Sequence, residues 1–124
     1  MQTKSPLTFI LPNFDAGDEK SLQYACMKLA AGEAVVAILH TPREKLFGIL
    51  DEIGPAGVSL RGVDLRYFED LARAVAAGEE HLNPSDYFIP MWRVERITRD
   101  EASGGASSLL EQFAARTGRE FATL

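Results

Sequence analysis

The sequence predicts a small, mostly β domain: a five-stranded barrel with helices added at its start, middle and end. Three observations carry that expectation. Short apolar and β-branched stretches follow one another between residues 34 and 63, broken by Pro42 and by Gly54-Pro55-Ala56-Gly57. A helical period then interrupts them over Leu65–Ala77. Extended character returns in YFIPMWRVERI, where Val94 and Ile97 stand three apart, the mark of one tight turn inside a strand-like run.

The elements follow in order. Leu7–Leu11 is a short apolar stretch ended by Pro12, and Asp15 or Asp18 can cap the helix that comes next. Leu22, Ala25, Cys26 and Leu29 fall on one face of that helix, which makes Cys26 a core residue rather than a reactive thiol. Gly32 suits the left-handed position after its last turn. Ala34–Thr41 is the first strand. Lys45–Ile53 is the second, with Leu46, Gly48 and Leu50 on one face; a glycine there marks a bend or a close backbone approach. Val58–Val63 is the third. With Asp64 as cap, Leu65, Phe68, Leu71, Ala72 and Val75 repeat at helical spacing, and Gly78 stops the helix. Tyr87–Met91 and Val94–Arg99 are the fourth and fifth strands. Residues 1–101 thus form one domain, 102–108 (ASGGASS) a flexible linker, and 109–124 a short helix and tail, with Leu109 and Phe113 four apart.

Composition excludes several classes. Apolar residues at 46% and charged residues at 25% are globular values, which argues against disorder. No apolar run approaches the ~20 residues that span a bilayer, and no leader pattern opens the chain, so neither a membrane nor secretion is expected. One cysteine forms no intrachain disulfide, which points to the cytoplasm. The net charge of −5 is concentrated in residues 33–101, with 8 basic against 13 acidic side chains. That excess places the chain at a long-range disadvantage toward phosphate polymers.

The chemistry-bearing residues are sparse. His40 and His81, with no cysteine nearby and no spaced carboxylates, do not make a metal site, and no cofactor is expected. Glu79-Glu80 reads as a solvated surface pair. Pro55 removes a donor from the Gly-Pro-Ala-Gly turn and no Gly-Lys-Ser/Thr follows, so the turn is not a phosphate cradle. No nucleophile motif is present, and the chain is read as non-enzymatic. One composition remains suggestive: Arg61, Trp92, Arg93 and Arg96 combine cations with an aromatic ring, the pairing that holds single-stranded nucleic acid. Its rival is that Glu95, Asp100 and Glu101 neutralise the nearby arginines and Trp92 packs an interface.

The order of helix, three-strand meander, apolar strand, single turn and last strand resembles the Sm-like small barrels, themselves close to SH3-like barrels, over roughly Asp18 to Asp100. Gly48, Leu50 and Ile53 resemble that family's second strand, and FIPMWRVERI resembles its last two. The resemblance implies a ring-forming assembly module in which the fourth strand of one copy meets the fifth of the next. Tyr87, Ile89, Met91, Trp92, Val94 and Ile97 would then lie at the subunit interface. A homo-oligomer, with a further protein partner, is the expected state; an RNA-binding protein with an altered pocket is the alternative. The sequence departs from the uridine-binding members, since Gly54-Pro55-Ala56-Gly57-Val58 replaces their Asp-x-x-Met-Asn loop and Arg61-Gly62 lies in the third strand. A competing expectation keeps the chain monomeric, with Leu109 and Phe113 of the last helix folded over an open strand edge.

Overall fold

The computed structural model describes residues 28–79 and 81–124. The expectations for Leu7–Leu11, for the caps at Asp15 and Asp18 and for the helix carrying Leu22, Ala25 and Cys26 lie outside the described residues. Within them the order is β1 (Ala34–Leu39), β2 (Glu44–Ile53), β3 (Gly57–Asp64), a 3₁₀ turn (Leu65–Tyr67), α1 (Phe68–Ala76) and β4 (Ser85–Pro90). A second 3₁₀ turn (Met91–Arg93), β5 (Val94–Arg99), α2 (Leu109–Thr117) and a last 3₁₀ turn (Phe121–Thr123) complete it. All neighbouring strands are antiparallel, and the sheet order is β4-β3-β2-β1-β5.

That order corrects the barrel. β4 and β5 are the two ends of the sheet, and no ladder joins them. Among the described residues the fold is mixed α/β: an open five-stranded sheet with two helices, not an Sm-like or SH3-like closed barrel. The sheet is nevertheless strongly curled. Laid flat, five strands would hold their end strands about 19 Å apart, whereas the three residues Met91–Arg93 connect β4 to β5 with a rise of only about 6 Å. The turn reaches both sides of the curl, since Met91 N–H donates to Ala56 O (3.0 Å) and His40 N–H to Arg93 O (2.9 Å).

The curl has a visible cause in β2 and β3. Gly48 and Gly62 lie opposite each other in the ladder. A side-chain carbon on Gly48 would come within 2.8 Å of Gly62 Cα, and one on Gly62 would lie 2.6 Å from Gly48 Cα and still closer to Phe47 O. The two backbones therefore pack where side chains would otherwise hold them apart. The concave face so formed buries Val35, Ala37, Leu39, Leu46, Leu50, Val58, Leu60 and Ile89, with Leu29 packed partly buried beside them.

Much of the convex face is covered by helices, around Phe47 of β2. Phe47 of β2 meets Phe68 of α1 (ring centroids 5.6 Å) and Phe121 of the last turn (4.9 Å); Phe113 of α2 meets Phe121 (5.3 Å) and Phe68 (6.2 Å). These four rings form a closed circuit joining four elements. The helical period after Asp64 occupies the 3₁₀ turn and then α1, and the Asp64 carboxylate accepts from Arg66 N–H at 2.8 Å. Helix α2 is fastened at its start. Ser108 and Glu111 form a capping box, and the Asp100 carboxylate accepts from Leu109 N–H (2.8 Å) and Leu110 N–H (2.9 Å), which satisfies donors that the helix itself cannot. Its Leu109 and Phe113 face the convex cluster, not a sheet edge.

Two ion pairs, one joining the end of β5 to the segment before β1 and one at the turn after β3, set an acid sensitivity. Arg99 donates to the Glu33 carboxylate, and this, with the Ala30 N–H bond, holds the Glu33 carboxyl below the usual range. The Arg66 guanidinium does the same for Asp64. A carboxyl whose folded pKa is depressed contributes stability above its unfolded pKa and loses it as pH falls through the folded value. The urea midpoint should therefore be flat from pH 7 down to about 5 and fall below about pH 4, near the ordinary carboxylate value. Glu33→Gln should lower the midpoint at pH 7 and shallow the acid limb; an unchanged acid limb would remove Glu33 from the account.

Candidate functional site

The residues proposed from sequence are not assembled into one patch. Arg61 lies on the convex face of β3, donating to Asp86 Oδ1 (3.2 Å) and to the main-chain oxygen of Leu124 (3.4 Å). Arg93 is half-buried, and it donates to His40 O (3.2 Å), Pro42 O (2.7 Å) and Glu44 Oε1 (3.1 Å). It clamps the carbonyls on either side of Thr41, whose φ of 55° is unusual for a β-branched residue. Arg96 is exposed on β5, and Trp92 is 64% exposed in the turn before it, edge-on to His40 at 6.4 Å. Removing the clamp by Arg93→Ala should cost about 2 kcal/mol, since bonds to a charged group are at stake. Lysine should restore little of it, because one ammonium cannot reproduce the planar fork. Urea unfolding followed by the fluorescence of Trp92, the chain's only tryptophan, measures both.

The six positions assigned to a subunit interface divide differently. Ile89 is buried in the concave core, and Tyr87, Met91, Val94 and Ile97 pack partly buried against it. Only Trp92 among them projects.

The open ground lies elsewhere, on the convex face beyond the helices. A groove of about 570 Å³ runs across β2, β3 and β4, walled on one side by Phe121 and Ala122. Sheet pairing sets its floor in two rows: Ile49 opposite Arg61 opposite Asp86, then Ser59 opposite Phe88. The ladder shifts register between Leu50 and Glu52, which leaves Asp51 as the extra residue of a bulge, a device that re-aims a side chain. Phe88 is 62% exposed and lies over Gly57, whose missing side chain makes room for the ring. Among the described residues neither the Asp51 carboxylate nor the Ser59 hydroxyl has a hydrogen-bond partner. Sequence reading missed this site, although the alternation of Asp86 and Phe88 against Tyr87 and Ile89 puts an aromatic ring on the polar side of a strand.

No family model, no curated protein and no solved structure matches this chain. With the sheet open and no family model matching, the Sm-like identity is withdrawn, and with it the ring and the RNA-binding alternative that rested on it. Among the described residues no His, Cys, Asp or Glu group of three or more is placed to hold a metal ion, and no helix is long and apolar enough to cross a membrane.

Proposed function

We propose that this chain is a non-enzymatic docking module that takes an extended segment of another protein along the outer edge of β4. The observation carrying this reading is the contrast between the two end strands. β5 has charges of both signs at Glu95, Arg96 and Arg99, and its ladder with β1 is irregular at Ile38/Leu39, the devices by which edges are blunted. β4, Ser-Asp-Tyr-Phe-Ile-Pro, has a regular ladder with β3, no lysine or arginine, and an exposed phenylalanine; only Asp86 and the terminal Pro90 discourage a further strand. No described strand pairs with its outer side. Strand addition to such an edge draws affinity from main-chain hydrogen bonds and selectivity from alternate side chains. The groove lies immediately beside it. A chain with a single cysteine needs no oxidising compartment, and the cytoplasm is its proposed place of work.

Panning a phage-displayed peptide library against the full chain, with Phe88→Lys as counter-selection, tests the reading. Peptides of alternating pattern should be enriched and should lose binding to the variant, because a lysine on an edge strand opposes pairing. Absence of enrichment, or equal binding to Phe88→Lys, would refute the docking edge. Light scattering on the same protein shows whether a second copy already occupies that edge.

A further inference from the structure

We infer that the partner segment presents arginine on its convex side, where the exposed Phe88 ring and the negative balance of the neighbouring groove receive it. This rests on the docking reading above and adds the chemistry of its occupant. A strand laid against β4 points alternate side chains to opposite faces of the sheet. One set falls on the convex side, above Phe88 and the groove; the other falls on the concave side, next to the half-buried Tyr87.

The groove side favours a long cation. Phe88 offers an exposed ring, and a guanidinium stacks on such a face more effectively than a hydrated ammonium. Asp86 lies on β4 itself; the Ser59 hydroxyl on β3 and the Asp51 carboxylate on β2, both without a partner among the described residues, lie farther in, and Asp51, about 14 Å from a strand added outside β4, adds negative potential rather than contact. Against these two carboxylates the groove holds one cation among the described residues, Arg61, and it is tethered to Asp86 and to the oxygen of Leu124. The local balance is negative, and the chain's net charge of −5 adds attraction for a basic segment at longer range. The concave side favours an apolar residue, because Tyr87 and the Ile89 core border it. Alternating arginine and aliphatic residues satisfy both sides at once.

The test uses three capped octapeptides, (Val-Arg)₄, (Val-Thr)₄ and (Val-Glu)₄, titrated into the ¹⁵N-labelled full chain. The arginine peptide should shift the amides of Ser85–Phe88 and bind about tenfold more tightly than the threonine peptide, with the glutamate peptide weakest. Phe88→Leu should weaken the arginine peptide about threefold, the scale of one exposed cation–π contact, and leave the threonine peptide within about twofold. Because Phe88 is 62% exposed, that variant should also keep the wild-type amide spectrum away from β4. Equal binding of the arginine and glutamate peptides at β4 would overturn the arginine preference and leave the docking edge standing. No shift at β4 with any of the three would overturn both.

Discussion

Gly62→Ala is expected to destabilise the chain by about 3 kcal/mol, at the upper end of what one inserted carbon costs in a packed interior. The new carbon would meet the Phe47 carbonyl oxygen and lie 2.6 Å from Gly48 Cα. Both are main chain, so no side chain can rotate aside; β2 and β3 must separate and the curl must relax. The usual gain of a few tenths to 1 kcal/mol from a stiffer unfolded chain is too small to offset this. Gly54→Ala is the control. Nothing lies within 4 Å of its missing carbon, and its effect should stay within about 0.5 kcal/mol. Urea midpoints of the two variants decide the matter. A Gly62→Ala midpoint equal to that of Gly54→Ala would mean that the β2–β3 contact does not set the curvature.

Phe47→Ala is expected to cost more, about 4 kcal/mol. The side chain is fully buried and its ring touches two others, from α1 and from the last turn. Truncation removes the ring's own burial and leaves a void between the sheet and both helices, and edge-to-face pairs lose their geometry as well as their area. Phe113→Ala should be nearly as severe, because that ring is also fully buried and closes the circuit from the other side. The double variant should lose less than the sum of the two, since both residues support the same cluster. Thermal unfolding of the singles and the double measures the coupling; strict additivity would show that the four rings do not act as one unit.

The local structure was largely legible in the chain. Ala34–Leu39, Glu44–Ile53 and Gly57–Asp64 fall where β-branched and apolar residues alternate, and their ends are set by Pro42 and the Gly-Pro-Ala-Gly turn. The helical stripe Phe68, Leu71, Ala72 and Val75 is buried along one side of α1. Gly48 in mid-strand signalled a close backbone approach, and it makes one. These features depend on residues a few positions apart, which is the range over which period, caps and turn residues act.

Tertiary structure alone decided the rest. A period of two assigns a residue to a face but does not say whether that face meets solvent, so Phe47 gave no warning that β2 is buried on both sides. Phe121, one apolar residue in a polar tail, became core only because α2 docks through Asp100 and carries the tail back over the sheet. Whether the curled sheet closes was beyond local reading as well. Closure requires a ladder between the first and last strands of the sheet, and β4 and β5 are adjacent in sequence yet opposite in order. The groove shares that origin, since Asp51, Ser59 and Phe88 meet only through the register of three strands and one bulge. The sequence by itself determined where the chain extends, turns and coils. Which faces are covered, which edge stays open and what the open edge presents were settled by pairing and packing between residues far apart in the chain, energies that no short window contains.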